Sequence, residues 1–208
     1  NLVPTGAYSK GSTLTAALYG FDTATLNERF KLNAGFRLEK YKTDFNGVAL
    51  STATTYPTLP VGTPVPTSLD QSDTLLSWKI GAVYKPAANG SVYVSFANSK
   101  MPPGSAAFSL SAAANSANNP GYKPQEGSNV EIGTKWDLLD DKLSLAATVY
   151  RSENKNELVQ DPIDPNVYTQ VGSRRVQGVE LSAAGQITQA WSVNLGLGTM
   201  DAKITSGY

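Results

Sequence analysis

Cysteine and histidine are both absent from this 208-residue chain. Without cysteine there are no disulfides and no thiolate chemistry, which suits an envelope protein that folds outside the cytosol with no staple. Without histidine the commonest proton shuttle and metal ligand is gone, so a nucleophile–base pair or a zinc site has no obvious parts. The expectation is a protein that is not an enzyme, with no catalytic residue, no metal site and no resident cofactor. Long apolar runs are missing too: nothing approaches the roughly eighteen consecutive residues of a transmembrane helix. Neither sign of charge is in excess, with 17 basic side chains against 17 acidic ones. No basic run interleaves with aromatics, which argues against nucleic acid as a partner. The chain opens at Asn1 with no methionine and no basic or apolar leader, and reads as a mature protein or a piece of one.

What is present is a rhythm. Alternating apolar and polar residues come in runs of about ten, joined by connections that are short, then long, then short again. A strand crosses a bilayer in about nine to eleven residues, and outer-membrane barrels put tight turns at one surface and longer loops at the other. In RFKLNAGFRLEKY, Phe30, Leu32, Ala34, Phe36 and Leu38 share one parity while Lys31, Asn33, Gly35, Arg37 and Glu39 share the other. Successive strand side chains point to opposite faces, so this ribbon separates two different solvents. Half of every such strand is polar, which is why a mean hydropathy of -0.24 does not argue against a membrane.

About eight strands are legible. The first runs over about 12–23 and the second over 30–42, with Thr25 and Asn27 in the link. A long tract rich in Thr, Pro and Ser then reaches about Ser72. Its Pro57, Pro60, Pro64 and Pro66 argue against ladder pairing and predict a surface loop. The third strand, DTLLSWKIGAVYK, meets the fourth through a turn over 86–90, where Asn89-Gly90 suits positive φ. Further long loops are predicted over 99–125 and 154–167, and the turn DLLDDK joins the fifth and sixth strands. The seventh and eighth strands centre on 179–183 and 191–197, and DAKITSGY reads as a strand running into a loop.

Phe21, Phe30, Tyr84, Tyr93, Trp136 and Trp191 all fall within a few residues of a short turn. Amphipathic rings prefer the headgroup depth, so these predict a girdle at one membrane surface. Arg151 and Arg175 lie on the outward parity beyond the apolar part of their strands, where they can snorkel to the far interface and meet lipopolysaccharide phosphate. A soluble sandwich also alternates, but it predicts neither the short-long order of connections nor rings gathered at the short ones.

Two long runs, GYKPQEGSNVEIGTKWDLLDDKLSLAATVYR and GSRRVQGVELSAAGQITQAWSVNLGLGTMDAKI, strongly resemble the barrel of TonB-dependent siderophore receptors, most of all the catecholate type. LTAALYGFDTATLNERFKLNAGFRLEKY resembles an earlier hairpin of the same barrel. The resemblance implies an all-β fold: an internal segment of an antiparallel transmembrane barrel of about twenty-two strands in the outer membrane of a Gram-negative bacterium. It further implies uptake of ferric siderophore, with iron only as part of that ligand, powered by TonB through a plug domain. Residues 1–208 read as barrel alone, with neither plug nor TonB box among them, and the receptor as a monomer. The alternative is a self-contained eight-stranded barrel with a structural or adhesive role.

Asp140 and Asp141 are adjacent carboxylates, but they fall in the DLLDDK turn, where Asp is favoured for backbone hydrogen bonding. Gly133, Gly196 and Gly198 lie on inward parity with no helix to follow, so they are no phosphate loop; they make room for a neighbouring backbone or a plug. The inward charges Lys31, Arg37, Glu39, Lys79, Glu131, Lys135 and Glu180 suit either a solvated wall or a surface that grips a plug. A ferric catecholate is anionic and aromatic, so its capture calls for cationic side chains and rings on loops held by a rigid scaffold. Tyr56, Lys100, Met101, Tyr122, Lys123, Tyr168 and Arg174 are the candidates.

Overall fold

A computed structural model describes residues 6–105, 108–188 and 190–207; Tyr208, the last residue of the DAKITSGY run, lies outside them. Its regular elements are β1 (Tyr8–Thr25), β2 (Phe30–Leu50), β3 (Pro64–Ala87), β4 (Gly90–Met101), β5 (Gln125–Leu138), β6 (Leu143–Gln160), β7 (Tyr168–Thr188) and β8 (Trp191–Ser206). Each pairs antiparallel with the next, in one eight-stranded meander in chain order. β1 and β8 are its edges and make no contact with each other. A self-contained eight-stranded barrel requires that pair to close. The sheet is therefore an arc of a larger wall.

Register turns the parity of single strands into rows across the sheet. On the outward face, Trp136, Leu145, Ala183 and Leu195 form one row, and Thr134, Ala147, Leu181 and Leu197 the next. Ile132, Val149, Val179 and Thr199 follow, and charge enters one row higher with Arg151. From Leu143 to Arg151 the strand advances about 26 Å, which at a tilt near 40° is roughly 20 Å of height, close to the apolar band of such barrels. Leu32 and Ile80 are 43% and 52% exposed, and Val193 lies on the same outward surface, so these residues share no dry interior. Asp22 breaks the pattern: it stands on the outward parity opposite Ala34, its Oδ1 accepting the Thr23 N–H at 2.8 Å.

The aromatic girdle is smaller than expected. Phe30 stacks on Tyr84 at 4.6 Å, and Trp136 and Trp191 share their outward parity. Phe21 and Tyr93 point inward instead, because they pair with Gly35 and Gly133 on the polar face. Lys79 Nζ sits 4.3 Å from the Phe21 ring. Tyr93 donates to Glu131 and stands 3.1 Å from Thr148 Oγ1. Gly133 is thus cleared for a side chain rather than a backbone or plug, since a Cβ there would stand 2.5 Å from the Tyr93 ring. Gly196 and Gly198 face open space among the described residues.

The long loops are shorter than the sequence predicts. β2 and β3 stay paired up to Leu50 and Pro64, leaving residues 51–63 as the first loop. Proline is tolerated there for a reason of side. Antiparallel strands point the N–H groups of alternate residues at opposite neighbours. The Trp78 N–H points at Asn98 on β4, and Pro64 and Pro66 share the Trp78 parity through an unbroken register. Their missing donors face the flank that β4, paired only from Lys79 onward, leaves open. The second loop is 102–124 and the third only 161–167, because β6 continues past Asn154 with a bulge in which Asn156 takes φ 60°. At the short end, Asn89-Gly90 turns without positive φ, whereas Leu139, Asp140 and Asp141 take φ of 56°, 55° and 63° in the DLLDDK turn.

Candidate functional site

The root of loop 102–124 gathers three of the candidate residues, Met101, Tyr122 and Lys123. Loop 102–124 leaves the sheet at the Met101–Gln125 pair, and its return is fixed by a side chain acting as a stretch of backbone. Gln170 Oε1 accepts the Lys123 N–H at 2.8 Å, and its Nε2 donates to the Lys123 carbonyl at 2.6 Å and the Asn156 carbonyl at 2.9 Å. Asn156, freed by its bulge, donates from Nδ2 to the Pro124 carbonyl at 2.9 Å. Tyr122 donates its hydroxyl to the Ala114 carbonyl at 2.5 Å. Met101, Tyr122, Lys123, Asn156, Leu158 and Gln170 enclose a cavity of about 40 Å³. That admits a few waters, whereas ligand pockets run to hundreds of Å³. At that size the root anchors the loop and offers no room for a larger ligand.

The other candidates are spread out. Tyr56 is half-exposed in the first loop, its N–H bonded to the Thr52 carbonyl at 3.1 Å. Tyr168 opens β7 opposite Gln160. Arg174 is on the inward parity, its Nε 3.0 Å from Glu157 Oε2. Lys100 shares the outward parity of Val130 and pairs with Glu126 at 3.2 Å, so its charge faces away from the lumen.

Loop 102–124 also crosses the inward face. The Phe108 carbonyl occupies the place where a Cβ on Gly11 would stand, and Leu110 is buried. In the next two rows toward the short turns, Thr43 and Tyr41 are each 1% exposed, and Thr13 and Thr43 hydroxyls meet at 2.8 Å. The Tyr41 hydroxyl and Gln71 Oε1 are buried without a hydrogen-bond partner among the described residues. Burial, helped by Asp73, pushes the Tyr41 phenol up to about 12, so it stays a neutral donor. Each unmet buried polar atom costs about 1–3 kcal/mol, a cost carried by this part of the inward face. Tyr41, Gln71, Asn156 and Gln170 escape a sequence reading because partners set their roles. Lys203, which joins Arg151 and Arg175 on the outward face, does not: counting parity along β8 finds it, whereas Lys155, on the same face, falls in the 154–167 run that the sequence reads as loop.

Of the seven inward charges, three are ion-paired within the wall, while Lys79 lies over the Phe21 ring and Glu131 accepts from Tyr93. Arg37 pairs with Glu39, and Lys135 lies 3.5 Å from Asp137. Among the described residues no group of three His, Cys, Asp or Glu side chains is placed to hold a metal ion.

An antiparallel wall with hydrocarbon-facing and polar surfaces, tight turns at one end and folded loops at the other is the wall of an outer-membrane β-barrel. The chain belongs to the TonB dependent receptor-like β-barrel family, whose model matches residues 1–207. It is 42% identical to the catecholate siderophore receptor Fiu of Escherichia coli K12 over 216 residues, which is 99% of this chain and 28% of that one. The probable TonB-dependent siderophore receptor PiuA of Acinetobacter baumannii is 34% identical over 92% of this chain and 24% of its own length. The crystal structure of the ferric-catecholate import receptor Fiu in its closed form matches with a TM-score of 0.85 at 38% identity, covering 100% of this chain and 30% of that one. The chain thus spans about a quarter of the length of the curated relatives it matches.

Proposed function

We propose that this chain is part of the barrel wall and loop rim of a receptor that imports a ferric catecholate siderophore across the outer membrane. What carries the reading is likeness to a catecholate siderophore receptor along 99% of the chain, rim loops included, on a sheet whose faces suit lipid and lumen. Transport draws on TonB through a plug domain outside these 208 residues. The protein does no covalent chemistry, works as a monomer, and meets iron only inside its cargo, with no resident cofactor. Lipid and lipopolysaccharide surround it, with Arg151 and Arg175 at the headgroup level. At the rim, the exposed Lys123 and Arg174 supply charge and Tyr56, Tyr122 and Tyr168 supply rings for an anionic, aromatic ligand.

The test is ferric tris-catecholate binding to the complete receptor. Arg174→Ala is expected to weaken binding about tenfold, the scale of one charge-assisted contact. Tyr122→Ala is expected to weaken it through ring and loop together, and Tyr122→Phe less. Full affinity in both alanine variants removes those residues from the site, and a wild-type receptor that ignores the ferric catecholate overturns the function.

A further inference from the structure

The outward face of β6–β8 changes from carbon to charge within one step of the ladder. Ile132, Val149, Val179 and Thr199 form the last uncharged row. The next holds Arg151, Gln177 and Asp201, and the one above it Glu153, Arg175 and Lys203. Lys155 follows on the same parity of β6. Arg151 pairs with Glu153, and Lys203 Nζ lies 3.0 Å from Asp201 Oδ2. On β6–β8 four cations therefore meet two carboxylates; Glu126 of β5, opposite Lys155, pairs instead with Lys100 at 3.2 Å, and neither Lys155 nor Arg175 forms an ion pair among the described residues. Arg151, then Lys155 and Arg175, hold the Glu153 carboxyl below its usual range, a sign that these charges converge on one spot.

Such a surplus is not general along this rim. Where charge begins on the outward face of β2 and β3, Lys40 and Lys42 are balanced by Asp44 and Asp70, with Lys42 Nζ 2.8 Å from Asp44 Oδ1.

Directly beneath the cations the sheet is grooved. A depression of about 560 Å³ runs between Val130, Ile132, Val149 and Val179, with Arg151 and Asp201 on its lip. A second, of about 420 Å³, continues toward the short turns, where Ala147 and Ala183 lie low between Leu145, Leu181 and Leu197. The cations stand on the long-loop side, which faces outward in such barrels, so the first groove lies at outer-leaflet depth. A phosphate on a fatty-acylated headgroup fits both halves of this surface. Its anionic oxygens meet Lys155, Arg175 and Lys203, and an acyl chain fills the groove below.

We propose that the outward face of β6–β8 is a specific seat for a phosphorylated, multiply acylated glycolipid of the outer leaflet. This extends the lipopolysaccharide contact above from Arg151 and Arg175 to a site with Lys155, Lys203 and an acyl groove. It rests on the outer-membrane placement of the chain and not on the siderophore reading.

The experiment uses the complete receptor, purified in detergent, with retained lipid counted by native mass spectrometry against added bis-phosphorylated lipid A, its dephosphorylated form and phosphatidylglycerol. Wild type is expected to hold the bis-phosphorylated form at least tenfold better than either of the others. The double variant Arg175→Gln, Lys203→Gln is expected to lose that preference, and Thr199→Leu, which fills the first groove without touching charge, to weaken binding severalfold. Lys40→Gln with Lys42→Gln is expected to change nothing. Equal binding of the dephosphorylated lipid overturns the phosphate site, and equal binding of phosphatidylglycerol overturns the glycolipid assignment. An equal loss in the Lys40, Lys42 variant reduces the site to general surface charge. Ferric-catecholate affinity, read on the same variants, is expected to stay at the wild-type value, so failure here and failure of the import function are told apart.

Discussion

The lower half of β2 and its upper half are paired with β3 by one unbroken register, from Phe30–Tyr84 to Leu50–Pro64, yet they look like different proteins. Below, outward Phe30 to Leu38 are apolar and inward Lys31 to Glu39 mostly polar. Above, Lys40, Lys42 and Asp44 stand outward while Tyr41 and Thr43 are buried inward under no alternation rule. β6 repeats the contrast between 143–151 and 153–160. The backbone ladder is indifferent to the change, since its hydrogen bonds need only extended chain and a partner. Alternation therefore records which solvents touch the two faces and not whether a strand exists.

That difference decides what the sequence could reveal. The membrane-embedded halves, the tight turns and the order of strands are legible because lipid on one side makes exceptions costly, Asp22 being one. Strand above the membrane is not: in ENKNELVQ both faces are wet or covered by loop, so a polar run that is strand reads as loop. Proline misleads for a related reason, because whether Pro64 harms a ladder depends on which flank is empty, and the neighbour's length is not written locally. Nearness to a turn suggests a girdle position for Phe21 and Tyr93, although parity alone puts them inward beside Gly35 and Gly133. In the candidate site, the residue types suited to an anionic aromatic ligand were readable, but not that Lys100 faces outward or that Tyr122 is spent on the Ala114 carbonyl.

The contrast can be broken most forcefully in the lower half. Leu197→Arg puts a charge in the middle apolar row, at a cost of about 2–4 kcal/mol near the bilayer midplane. The complete receptor should then fail to show heat-modifiable gel migration, while Thr63→Arg in the first loop should assemble normally. Gly133→Val comes next. Its side chain displaces the Tyr93 ring from Glu131 and Thr148 and should cost about 1–3 kcal/mol in unfolding of the purified receptor, with Tyr93→Phe costing less.

A change in the upper half should act locally. Gln170→Ala removes three hydrogen bonds at the root of loop 102–124, so hydrogen exchange and protease cleavage there should rise while lower-half amides keep their protection. The smallest effect concerns pH. Arg151 holds the folded Glu153 carboxyl below its ordinary value, so the pair stabilises above the unfolded pKa and that contribution is lost as pH falls through the depressed folded one. The difference in melting temperature between wild type and Arg151→Gln should therefore shrink on acidification, from a start that is modest for a solvent-screened pair.

These residues contain no cysteine, so single cysteines placed at 143 to 151 along β6 of the complete receptor in lipid vesicles can each carry a nitroxide. Oxygen partitions into hydrocarbon and a nickel chelate into water, and their relative effects on spin relaxation read the solvent at each position. Oxygen should dominate at 145, 147 and 149 and fall at 144, 146, 148 and 150, a period of two that ends at 151. Uniform oxygen access along the strand, or none at the odd positions, would contradict the two-solvent wall.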